Sequence, residues 1–135
     1  MNIDRFKRDH ATVLQQVEEL RELIQDGIEE HAGQIARLLM TISSTIKVHL
    51  AAEDHALYPA LARNPAIAAT GRKFQEEMGG IAAAYAAFSH QWVFAPNIEA
   101  HPEQFLREAN DTFKVLYERI RKEDRELYPA VEALH

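Results

Sequence analysis

The segment Glu53-Asp-His-Ala-Leu-Tyr-Pro-Ala-Leu61 returns later in the chain as Glu123-Asp-Arg-Glu-Leu-Tyr-Pro-Ala-Val131. The match is too long for composition to explain, and it makes the chain a duplicated helical hairpin. Upstream of the first copy, Ile35, Leu39, Ile42 and Ile46 lead into His49, Glu53, Ala56 and Ala60 at steps of three and four. That spacing draws one stripe along a helix and turns His49 and Glu53 inward with the aliphatic residues. The helix is expected to tolerate Pro59 near its end and to stop near Arg63, ahead of the Asn64-Pro65 turn signal. Upstream of the second copy, Phe105, Ala109, Thr112, Leu116, Arg119, Glu123, Leu127 and Ala130 follow the same rule. Two charged residues, Arg119 and Glu123, therefore lie in this seam.

The remaining two seams precede these. Ile3, Phe6, His10, Val13, Val17, Leu20 and Ile24 form the first, and Gly27 is placed to end it. Ile67, Gly71, Phe74, Met78, Ile81, Tyr85, Phe88 and Trp92 form the third. Gly79-Gly80 interrupts this helix, and because each glycine costs about 1 kcal/mol against alanine, the pair predicts a close-packing point or a local irregularity. Ala95 to Pro102 reads as the longest loop, with Pro102 suited to the first turn of the last helix. Four amphipathic helices joined by short connections predict an all-α, up-and-down antiparallel four-helix bundle over residues 1–135 as one domain.

Composition narrows the chemistry. The chain has 135 residues, is 47% hydrophobic and 27% charged, carries a net charge of −6 and has no cysteine. Thiolate ligands, disulfides and a cysteine nucleophile are excluded, leaving His, Asp and Glu as candidate metal donors. No extended basic surface is available for nucleic acid. The start of the chain lacks the apolar stretch of a signal peptide, and the run Ile81 to Phe88 is far shorter than the roughly 18 residues that span a bilayer. A soluble, cytoplasmic protein without a membrane partner is the expectation.

Aligning the two halves on Glu53 and Glu123 sets His49 against Arg119, and Asp9-His10 against Glu77-Met78. The first half thus offers His10, His49 and Glu53, whereas the second offers Met78, Arg119 and Glu123. His-x-x-x-Glu puts both side chains on one helical face a turn apart, within reach of one ion, and imidazole with carboxylate suits iron, manganese or zinc.

An Asp-His near the N-terminus, His-Leu-Ala-Ala-Glu-Asp in the second helix, and Lys-Glu-Asp followed by Leu-Tyr-Pro in the fourth resemble the hemerythrin-like, histidine-histidine-glutamate cation-binding family along essentially the whole chain. The resemblance implies a four-helix bundle around non-haem iron, in a family whose members bind or sense oxygen or handle nitric oxide and iron. It implies His10, His49 and Glu53 as metal ligands, with Glu123, or Asp124 one residue on, as the carboxylate from the fourth helix. It also implies histidines where this chain has Met78 and Arg119, so a full diiron centre and oxygen carriage are not expected.

Three readings follow. In the first, a reduced, mononuclear site holds one iron, zinc or manganese ion on His10, His49, Glu53 and Glu123, with the fixed charge of Arg119 in place of a second metal and Met78 filling the remaining space. Its roles would be small-ligand sensing, iron handling or stress response, with oxygen or nitric oxide as small partners and self-association allowed. In the second, the bundle is a metal-free interaction module in which Arg119 neutralises Glu53 and Glu123. The third, a histidine phosphotransfer bundle, needs an exposed histidine, whereas His10 and His49 lie on inward seams. No catalytic residue is assigned. His55 is expected off the seam, His31, His101 and His135 in solvent, His90 at a helix boundary, and Tyr58 and Tyr128 as packing residues at the end of the bundle.

Overall fold

The computed structural model describes residues 2–134, so His135 lies outside the described residues. Helix α1 spans Asp4–Asp26 and ends at Gly27, whose φ of 129° favours glycine and whose N–H reaches back to Ile24 O. After a short turn, α2 runs Ala32–Ala52 and continues through a π-turn, Glu53–Leu57, into α3, Tyr58–Ala62. Helix α4 spans Ala68–Trp92, α5 Ala95–Ala100 and α6 Pro102–Lys122. A second π-turn, Glu123–Leu127, leads into α7, Tyr128–Glu132. Helix α1 packs on α2, α2 on α4, α4 on α6, and α6 back on α1, which closes the all-helical bundle.

The π-turns are the same device used twice. Pro59 and Pro129 have no N–H and crowd the carbonyl four residues back, so an unbroken α-helix is blocked one turn after each glutamate. The backbone widens instead: Tyr58 N–H bonds Glu53 O, and Tyr128 N–H bonds Glu123 O, five residues back. Each widening slips the inward face. Beyond Glu53 the buried residues are Leu57, Tyr58 and Leu61, while Ala56 is exposed and Ala60 half-buried, so the expected stripe through Ala56 and Ala60 is corrected. In the last helix the burial likewise moves from Ala130 to Tyr128 and Val131.

Two other expectations change. The stretch expected as the longest loop contains α5, which buries Ile98 against α2, α4 and α6. Gly79 and Gly80 mark neither close packing nor irregularity, because α4 runs unbroken and a Cβ at either position would meet nothing within 4 Å. The close approach in α4 is at Gly71, where a Cβ would stand 3.1 Å from Leu61 Cβ. Ala32–Ala62 is long and apolar enough by composition to cross a membrane, but here Ile35, Leu39, Ile42 and Ile46 are buried in the bundle, as in a core helix.

Burial falls into two apolar clusters. One contains Val13, Ile46, Met78 and Leu116, and the other Phe6, Leu57, Phe74 and Leu127. On each long helix a polar or adaptable residue stands at the boundary: His10, His49 with Glu53, Met78, and Arg119 with Glu123. The buried polar layer thereby lies where the two apolar clusters meet.

Candidate metal centre

His10, His49, Glu53 and Glu123 are 3%, 5%, 0% and 1% exposed. Burying two carboxylates costs several kcal/mol each unless charge or a metal compensates them. The four side chains face one another. His10 Nε2 lies 3.1 Å from Glu123 Oε1, and His49 Nε2 lies 3.1 Å from Glu53 Oε1. The imidazole rings are tilted with centroids 4.8 Å apart. One donor atom each from His10, His49 and Glu123 falls within 4.8 Å of the others, a spacing a single cation can bridge.

Each imidazole is aimed by a carboxylate behind it. His10 Nδ1 is 2.8 Å from Asp124 Oδ1, and His49 Nδ1 is 3.0 Å from Asp9 Oδ2. In the neutral ring, an Nδ1–H donated outward to the aspartate would leave the Nε2 lone pair facing the interior, which is the tautomer and orientation that metal coordination requires. Asp124 therefore acts from the outside of the ring, and Glu123 is the buried carboxylate of the pair.

Tyr128 completes this corner. Its hydroxyl donates to Glu53 Oε2 at 2.8 Å and lies 3.2 Å from His10 Nε2, with its ring stacked on His10 at a centroid distance of 5.1 Å. The tyrosine expected to pack at the end of the bundle with its hydroxyl hydrogen-bonded or wet is hydrogen-bonded, and to the polar centre itself. Asp9 and Tyr128 were not readable as site residues, since Asp9 falls off the apolar stripe and Tyr128 reaches the interior through the π-turn. The signals available were the Asp9-His10 pair, set against Glu77-Met78 in the repeat, and the Tyr-Pro repeated after each glutamate.

Arg119 meets one of its two expected partners, Glu123, and directs its fork away from the other, Glu53. Its Nη1 donates to Glu77 Oε2 at 2.7 Å and its Nη2 to Phe74 O at 2.8 Å, while the guanidinium lies over the Phe74 ring at 4.5 Å. Only Nε turns toward the centre, 3.5 Å from Glu123 Oε2. Bridging of Glu53 and Glu123 by Arg119 is not the arrangement found, because both fork nitrogens are already held by α4.

Electrostatics follow from this geometry. Burial alone would lower the basicity of both rings, but for His10 the hydrogen bond and charge of Glu123, then Asp124, carry it above 6.5. For His49 burial is likewise outweighed by Glu53, then Asp9, and it too rises above 6.5. Burial, reinforced by Glu53 and Glu123, pushes the Tyr128 and Tyr58 hydroxyls well above the ordinary tyrosine range, so both remain proton donors. Glu77 is held below the usual carboxylate range chiefly by its bond from Arg119.

Several buried polar atoms here lack an aligned hydrogen bond: His49 Nε2, Glu53 Oε1, Glu123 Oε2, Arg119 Nε and Tyr58 Oη. Close pairs among them, such as His49 Nε2 and Glu53 Oε1, meet at ion-pair distance without hydrogen-bond geometry. Buried polar atoms without a partner are rare, and the unpaired His49 Nε2, Glu53 Oε1 and Glu123 Oε2 are of the types that ligate a cation.

The family model of the hemerythrin HHE cation-binding domain matches residues 1–131. The chain belongs to the hemerythrin HHE family. No significant match was found among curated proteins or solved structures. Within the HHE frame, three of the residues read from the sequence as ligands, His10, His49 and Glu123, present donor atoms within 4.8 Å of one another, and Glu53 adjoins them through His49. Of the remaining histidines, His55, His90 and His101 are exposed. His31 is not simply in solvent, since it bonds Asp26 and Gln34 across the α1–α2 turn. The buried positions of His10 and His49 remove the reason for a phosphotransfer reading of either.

Proposed function

We propose that the protein binds one divalent metal ion at His10, His49, Glu53 and Glu123 and serves small-ligand sensing, iron handling or stress response in the cytoplasm. The observation that carries this is the convergence of inward ring nitrogens of His10 and His49 with the Glu123 carboxylate, beside glutamate oxygens that have no aligned partner. Two imidazoles and carboxylates make a donor set suited to iron, zinc or manganese. A bound ion of this class would supply Lewis acidity and, if iron, a redox-active position for oxygen or nitric oxide.

The protein's own residues set the conditions for that chemistry. Asp9 and Asp124 orient the rings and raise their basicity as ligands. Tyr128 fixes Glu53 through Oε2 and leaves Oε1 directed at His49. Burial of His10, His49, Glu53 and Glu123 holds bulk water away from them, which strengthens every charge interaction between them.

The metal-free reading is favoured less by the geometry, since Arg119 spends its fork on Glu77 and Phe74 and leaves Glu53 facing His49 rather than a guanidinium. Elemental analysis of protein loaded separately with iron, zinc and manganese tests the proposal. It predicts about one equivalent of at least one metal and loss of that metal in His49→Ala. Equal metal content in both proteins would overturn it.

A further inference from the structure

The two halves of the bundle present the same framework around different central groups. In the first, Phe6 lies edge-on to His49 at 6.1 Å, Asp9 accepts from His49 Nδ1 at 3.0 Å, and Glu53 Oε1 faces Nε2 at 3.1 Å. In the second, Phe74 lies under Arg119 at 4.5 Å, Glu77 accepts from Nη1 at 2.7 Å, and Glu123 Oε2 faces Nε at 3.5 Å. The aromatic support, the outer carboxylate and the inner glutamate all recur. What differs is that a fixed cation replaces the imidazole.

A guanidinium has no lone pair to give, and Met78, set against His10 in the repeat, offers only a soft thioether. Arg119 is 4% exposed and clamped from three sides, so it cannot swing away to vacate the position. Glu123 is divided between the halves, with Oε1 on His10 and Oε2 toward Arg119.

We infer that Arg119 is the residue that limits this centre to a single metal ion, standing as a built-in positive charge where the repeat would otherwise form a second cation corner. This rests on the one-ion reading above and adds what sets the number. A second dication near a guanidinium in a dry interior would be repelled strongly enough to weaken its binding by roughly a thousandfold or more. The same charge also weakens the first ion, because it competes for Glu123.

The test is titration of the metal-free full chain with Co²⁺, followed by its visible absorption, and with Zn²⁺ by calorimetry. Wild type should take one equivalent. Arg119→Met should bind the first ion about tenfold more tightly, while Arg119→Lys, which keeps the charge, should restore wild-type affinity. Met78→His combined with Arg119→His should take two equivalents. A merely supporting role would leave Arg119→Met unchanged or weaker in affinity while still helical by circular dichroism, and that result overturns the inference. Wild-type stoichiometry decides the matter even if a variant fails to fold: two equivalents overturn the role of Arg119 alone, and none overturns the metal reading and this inference together.

Discussion

Tyr128 donates its hydroxyl proton to Glu53 Oε2 at 2.8 Å, tying the last helix to the second through the middle of the polar layer. The acceptor is a buried carboxylate that would otherwise lose a charge-assisted bond. Tyr128→Phe is therefore expected to destabilise the metal-free protein by about 1.5–3 kcal/mol, read as a lower urea midpoint with an unchanged slope. A variant as stable as the parent would mean that Glu53 is satisfied some other way.

Asp9 and Asp124 touch only the outer nitrogens of the two imidazoles. Removing such partners typically costs 10- to 100-fold in metal affinity while leaving the ligands in place. Asp9→Ala and Asp124→Ala should each weaken Zn²⁺ binding by about that factor in competition with a chromophoric chelator. No loss in either would show that the rings are aimed by packing alone.

The pH response has opposite signs with and without metal. Both histidines are raised above 6.5 in the folded state, so in the metal-free protein their contribution to stability is full below 6.5 and is lost as pH rises through the folded values. Metal needs the neutral rings, so affinity should climb over that same interval with release of protons. Urea midpoints without metal, and calorimetry in buffers of different ionisation enthalpy, measure the two trends. Metal-free stability that rises with pH across this window would contradict the ion pairs described.

Three glycines of α4 should respond differently to alanine. Gly79 and Gly80 face open space, so Gly79→Ala and Gly80→Ala should each stabilise by about 0.4–1 kcal/mol without altering metal binding. Gly71→Ala presses a Cβ to 3.1 Å from Leu61 and should give no such gain. Thermal midpoints of the three variants separate these cases.

Much of this was legible in the sequence because helical periodicity is a local property. The steps through His10, His49 and Glu123 already turned those residues inward, and the repeat placed Glu53 and Glu123 in equivalent positions. What could not be read arises from contacts between helices. Asp9 lies off the apolar stripe, yet bonds a ring on α2, and Asp124 likewise bonds one on α1. The slip that buries Tyr58 and Tyr128 follows from a backbone response to Pro59 and Pro129, which a uniform period of 3.6 does not contain. Arg119 was placed in the right seam and does face Glu123, but its fork goes to Glu77 and Phe74 instead of Glu53, since stripe membership does not say which further groups the guanidinium meets. The short α5 was hidden by prolines that mark both loops and helix starts.

The most direct test of the metal centre is anomalous diffraction from a crystal of metal-loaded protein, measured on both sides of the iron or zinc edge. The account predicts a single peak bounded by His10 Nε2, His49 Nε2 and the carboxylates of Glu53 and Glu123. A loaded crystal with no peak among these four residues, or with the ion held elsewhere, would contradict it.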